Sequence, residues 1–138
     1  MERFDVAVVG AGVSGAAVAR RLSQYEISVA LLEREADVSF GTSKANSGII
    51  HGGFHHSRRY LKARLEIRGA DMYPQLHRDL GFPYKQCGIV VAAFSREQQV
   101  TVEHLYRQGV ENGSPGIELC GADRVRSLEP KLHPDVIG

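Results

Sequence analysis

At 138 residues the chain is long enough to bury one modest core. Its 17 Lys and Arg stand against 16 Asp and Glu, which excludes a globally basic nucleic-acid binder and gives no charge-driven attraction to an anionic membrane. No run approaches the ~20 apolar residues of a membrane span, and Cys87 and Cys120 belong to no C-x-x-C or zinc pattern, which fits a reduced, cytoplasmic compartment.

The first predicted element is a valine-rich strand, Val6 to Val9, which breaks into Gly10, Gly12 and Gly15 and continues as a small-residue helix from Val13 to Ser23. Each glycine has a physical job in a phosphate-binding turn. Gly10 allows the sharp exit from the strand, Gly12 lets backbone approach a pyrophosphate, and Gly15 lets the helix lie against the strand. The helix then aims its free N–H groups and the positive end of its dipole at the phosphates. The apolar run behind Arg3 resembles a signal peptide only until Asp5 and the three glycines are counted, and the phosphate turn explains all of them.

A second strand, Ile27 to Leu32, is apolar apart from Ser28, as expected of a parallel strand covered on both faces. It ends on Glu33, about 20 residues past the glycines, where a carboxylate hydrogen-bonds the ribose hydroxyls of a dinucleotide and repels a 2′-phosphate. Residues 39 to 57 are crowded with Gly, Ser, Thr, Asn and His and follow neither helical nor strand period, which marks a long functional loop. His51 and His55 are four apart, but Gly52 and Gly53 between them argue for loop rather than helix, and no nearby Cys or acid completes a ligand set, so no metal site is expected. His55, His56, Arg58, Arg59, Lys62 and Arg64 form a basic segment that either draws in an anion or is a solvated helix face.

From Arg59 to Leu80, Leu61, Leu65, Met72, Leu76 and Leu80 recur at helical intervals and predict a core-facing stripe. Pro74 is expected to kink or divide this helix, and Gly81 and Pro83 to end it. Cys87 to Phe94 reads as a buried strand. Ser95 with Gln98 signals a helix start, and Asn112-Gly113 its end. A short strand from Ile117 to Cys120 and a helix from Ala122 to Leu128, stopped at Pro130, follow.

The stretches V-A-V-V-G-A-G-V-S-G, V-A-L-L-E-R and T-S-K-A-N-S-G-I-I-H-G-G together resemble FAD-dependent oxidoreductases of the D-amino-acid-oxidase type. They are most similar to the branch of glycerol-3-phosphate dehydrogenase and L-2-hydroxyglutarate oxidase, and L-G-F-P-Y-K-Q-C-G-I-V-V-A and S-L-E-P-K-L extend the likeness over the whole chain. The resemblance implies an α/β fold. It would begin with a Rossmann-like FAD-binding β-α-β unit of glutathione-reductase type over residues 1–83 and continue into part of an α+β substrate domain over residues 84–138, truncated before either layer is finished. It also implies that Gly10, Gly12, Val13, Ser14 and Gly15 hold the FAD pyrophosphate, Glu33 the adenosine ribose and Arg34 the adenine side. Thr42, Ser43, Asn46, Ser47 and Gly48 would line the path to the flavin, and His51, the one candidate catalytic residue, would lie near its ring.

The implied enzyme is a flavoprotein oxidoreductase that takes hydride from a small anionic hydroxy substrate, glycerol 3-phosphate or a 2-hydroxy acid, to flavin N5. The alternatives are an amine or amino-acid oxidase of the same fold and a nucleotide-binding fragment without turnover. The electron acceptor stays open, as does a peripheral-membrane or homo-oligomer contact.

Overall fold

The computed structural model describes residues 2–138. Two compact units succeed each other along the chain, residues 1–49 and 50–138.

The first unit is a β-α-β element. Strand β1, Val6–Val9, leads into helix α1, Val13–Leu22, and returns as strand β2, Val29–Leu32. The strands pair in parallel with Val6 beside Val29 and Val9 beside Leu32. Parallel strands need a crossover, and α1 supplies it. β2 is shorter than the apolar run suggested, because Ile27 N–H donates locally to Tyr25 O at 2.8 Å and Ser28 is spent on a clip at the sheet's edge. Asp5 Oδ2 accepts from Ser28 N–H at 2.7 Å and from its hydroxyl at 2.6 Å, while Asp5 N–H donates back to Ser28 O at 3.1 Å. The two hydrogen bonds from Ser28 hold the Asp5 carboxyl below its usual range, with desolvation opposing. The expectation that β2 is covered on both faces is not met among the described residues: Leu31 and Leu32 are exposed, as is Val9 beside them.

The second unit carries three helices: α2, Leu61–Leu80, α3, Arg96–Asn112, and α4, Ala122–Leu128. α2 runs unbroken through Pro74, so the expected division of this helix does not occur. A proline removes one ladder bond, and the remaining turns of a 20-residue helix carry the element past it. α2 stops at Gly81, whose φ of 70° is the left-handed conformation that glycine adopts without strain. The leucine stripe is also corrected. Leu61, Leu65, Met72 and Leu80 are exposed, and the buried residue of α2 is Ala63.

α3 begins as its sequence signature predicts. Ser95 Oγ accepts from Gln98 N–H at 3.2 Å, and Gln98 Oε1 accepts from Phe94 N–H at 2.8 Å. The two later strands expected at Cys87–Phe94 and Ile117–Cys120 do not form. Strand propensity needs a neighbour to complete a ladder, and the first segment finds one only at Ala93. There the N–H donates to Gly138 O at 2.6 Å, and the carbonyl accepts from Ile137 N–H at 2.9 Å. Ala93 and Val136 are buried at this junction together with Val125 of α4.

Candidate functional site

The turn between β1 and α1 is built by backbone. Gly10 takes a φ of 94°, in the region that disfavours a side chain. A Cβ on Gly15 would sit 1.8 Å from the carbonyl oxygen of Gly10, so only glycine lets the helix lie this close to the strand. Gly12 stands at the N-terminus of α1 without a side-chain cap, and the first N–H groups of the helix therefore precede its own hydrogen-bond ladder.

Two side chains from later in the chain fasten this turn. Glu33 Oε2 accepts from Ala11 N–H at 2.7 Å, while its Oε1 accepts from the N–H groups of Arg34 at 2.9 Å and Glu35 at 3.1 Å. The Ala11 and Glu35 amides, in that order, hold the Glu33 carboxyl below its usual range against a smaller desolvation penalty. Ser43, in the 3-10 turn Thr42–Ala45, brings its Oγ to 2.8 Å from Val13 N–H as acceptor. The same oxygen lies 3.1 Å from where a Cβ on Gly12 would be. Ala11, 1% exposed, is pinned from both sides, since its carbonyl accepts from Ser39 N–H at 3.0 Å. Ser39 sits at a φ of 64°, which a residue other than glycine adopts only under constraint.

This cradle fits a dinucleotide. Its floor is glycine backbone, its back is the N-terminus of α1, where Ser43 takes only the first N–H group, and a carboxylate with a lone pair left on Oε2 closes one side. Thus Gly10, Gly12, Val13, Ser14, Gly15, Glu33 and Ser43 come together in the first unit. The other loop residues are occupied locally. Arg34 Nε pairs with Glu35 at 3.0 Å on the surface. Thr42 opens the 3-10 turn. Asn46 donates to Ser43 O and accepts from Gly48 N–H at 2.8 Å, and Ser47 Oγ accepts from Ile49 N–H at 3.4 Å. Ala11 carried no signal in the sequence beyond its place between the glycines, and Ser39 none beyond opening the polar loop.

His51 belongs to the second unit and to a different construction. Its loop, residues 50–57, is held by α3. Asn112 Nδ2 donates to Gly53 O at 2.8 Å and to His56 O at 2.7 Å, and Gln108 Nε2 donates to Phe54 O at 2.7 Å. Phe54 is buried against Gly109, where an added Cβ would come 3.0 Å from Phe54 Cβ. Gly53, at φ 81°, faces Ile67 of α2, whose Cγ1 would lie 2.4 Å from an added Cβ. A Cβ on Gly52 would meet the Phe54 ring at 2.8 Å. Packing within the chain therefore accounts for both glycines.

Facing this loop, Glu66 of α2 has a side chain 10% exposed. Its Oε1 lies 3.4 Å from His56 Nε2, 3.8 Å from His51 Nδ1 and 3.9 Å from Lys62 Nζ. Sequence reasoning missed Glu66. The structure places it three residues after the buried Ala63, on the same side of the helix, which no local pattern in the sequence marks. Of the basic segment, Lys62 stands by Glu66, Arg58 Nη1 donates to Glu111 O at 3.4 Å, and Arg59 lies over the Tyr60 ring. Among the described residues no group of His, Cys, Asp and Glu forms a metal-holding set, and no helix is long and apolar enough to cross a membrane.

A family model described as DAO, FAD dependent oxidoreductase, matches residues 5–138. The chain is 41% identical over 135 residues to the glycerol 3-phosphate dehydrogenase of Caloramator mitchellensis, covering 98% of this chain and 28% of that protein. It is 35% identical over 129 residues to the mitochondrial L-2-hydroxyglutarate dehydrogenase of Homo sapiens, covering 92% and 28% respectively. A solved structure of dithionite-reduced L-α-glycerophosphate oxidase from Mycoplasma pneumoniae with FAD bound matches at a TM-score of 0.87 and 33% identity, over 99% of this chain and 36% of that one. The chain thus spans between 28% and 36% of the length of these relatives.

Proposed function

Because the chain belongs to the FAD-dependent oxidoreductase family, we propose that it carries the dinucleotide cradle of an enzyme oxidising a small hydroxy-bearing anion, glycerol 3-phosphate or a 2-hydroxy acid. The observation behind this reading is the closure of the glycine turn by Glu33 on Ala11 N–H, next to the N-terminus of α1. Relatives named for glycerol 3-phosphate and for L-2-hydroxyglutarate support the substrate class.

In this reading Gly10, Gly12, Ser14 and Gly15 present backbone to the FAD pyrophosphate, and Val13 is kept in line by Ser43, whose hydroxyl hydrogen remains free to reach a phosphate oxygen. Glu33 accepts from the ribose hydroxyls, Arg34 lies on the adenine side, and Thr42, Asn46, Ser47 and Gly48 shape the path toward the flavin. Bound FAD supplies the acceptor for the hydride leaving the substrate carbon. His51, half exposed, takes the proton from the substrate hydroxyl. The functional division then falls between residues 1–83, cofactor binding, and 84–138, substrate side. The free thiols of Cys87 and Cys120 are in keeping with a cytoplasmic setting.

The purified chain loaded with FAD provides the test. The expected result is a yellow protein that keeps its flavin through gel filtration and loses it on Glu33→Ala. Anaerobic glycerol 3-phosphate or L-2-hydroxyglutarate then bleaches the flavin. A colourless chain after FAD loading overturns the reading. The chain's share of its relatives' length favours one second reading, a module that binds FAD without turnover, and a yellow protein that neither substrate bleaches would establish it.

A further inference from the structure

Both carboxylate oxygens of Glu66 are shut off from solvent, and neither has a hydrogen-bond partner. A buried carboxylate of this kind is costly unless opposite charge or donors face it, and the groups that do so are specific. His51 turns Nδ1 and His56 turns Nε2 toward the same Oε1, at 3.8 and 3.4 Å, and Lys62 Nζ stands 3.9 Å away. The two histidines sit at the ends of a loop that Asn112, Gln108 and Phe54 fasten to α3, so their convergence on one oxygen is built in by long-range contacts. His55, the other titratable ring nearby, meets His51 edge to face at 5.8 Å between centroids.

We propose that Glu66 is the positioning residue of His51. A carboxylate facing Nδ1 favours the tautomer that carries its proton there, and this leaves Nε2 as a bare base. Resting on the reading of His51 as the proton acceptor, the sequence is then balanced: the substrate O–H proton passes to His51 Nε2, the Nδ1 proton stays where it is, and the carbon's hydride goes to flavin. His56 shares the Glu66 oxygen and fixes the loop's far end, while the half-exposed His51 is the ring open to a substrate.

Ring-15N NMR of the FAD-loaded chain, at a pH where the histidines are neutral, tests the proposal without reference to turnover. The expected result is a His51 ring protonated on Nδ1 and bare at Nε2, with that bias lost in Glu66→Gln and Glu66→Leu. A His51 ring protonated on Nε2 in the unaltered chain overturns the proposal, and so does an Nδ1 proton that persists in Glu66→Leu. If both variants fail to fold, the unaltered chain decides alone. In turnover, Glu66→Gln should lower kcat by roughly tenfold or more with KM little changed. His51→Asn separates the two ideas. Full activity in that variant removes the base assignment while the tautomer result stands, and an inactive His51→Asn beside a tautomer indifferent to Glu66 removes the positioning role alone.

Discussion

The glycine cradle and the histidine loop solve the same problem, fixing polar groups where a ligand can use them, by opposite means. The cradle is made of backbone amides from one turn and is fastened by Glu33 and Ser43 from the strand and loop that follow. The histidine loop takes its shape from side chains of α3 more than 50 positions later and from Glu66 on α2. A site built from backbone tolerates almost no added volume, whereas one built from side chains fails through lost hydrogen bonds and unpaired charge.

Substituting glycines exposes this difference most sharply, and the largest effect is expected there. Gly15→Ala places a methyl 1.8 Å from a carbonyl oxygen that is part of β1's exit and cannot step aside. The first unit should lose its fold and all flavin retention, read by gel filtration after FAD loading. Gly53→Ala also clashes and strains a φ of 81°, but its obstacle is the Ile67 side chain, which can rotate. We expect about 1 to 3 kcal/mol of destabilisation in denaturant unfolding, with flavin retained. Equal loss of flavin in both variants would break the comparison.

Next in size is Asn112→Ala. It removes two hydrogen bonds, to Gly53 O and His56 O, and at about 1 kcal/mol each should cost about 2 kcal/mol. Hydrogen exchange should accelerate in residues 53–57 and not in α1. Ser43→Ala is its counterpart in the first unit. It leaves the Val13 N–H without its acceptor, costs about 1 kcal/mol in the manner of a lost cap, and weakens FAD binding by roughly fivefold. Isothermal titration with FAD reads the second quantity directly.

These two regions also differ in how far sequence revealed them. β1, α1, α3 and α4 follow from local pattern, because glycine spacing, the Ser95 and Gln98 pair and terminal glycines act within a turn of chain. Cys87–Phe94 was misread because its valines describe a strand's composition, and a strand also needs a partner that local pattern does not supply. The stripe Leu61, Leu65, Met72 and Leu80 had the right period on the wrong face, since burial in α2 centres on Ala63. Glu33 was legible from its distance to the glycines. Glu66 was not, because in K-A-R-L-E-I-R it reads as one more charge on a solvated helix, and only the incoming loop makes it buried.

The smallest expected effect concerns acid, and in the first unit it rests on two carboxylates. Glu33 and Asp5 both have carboxyls held below their ordinary values of 4.5 and 3.8 by hydrogen bonds to Ala11 and Ser28. A lowered folded value means the charged form is favoured by folding, so the stabilisation is complete above the ordinary value and drains away as pH falls through the lowered one. The thermal midpoint should therefore decline as pH falls below those ordinary values. Glu33→Gln should flatten the upper part of that slope and Asp5→Asn the lower part. Both groups are solvent-facing, which keeps the change modest and salt-sensitive.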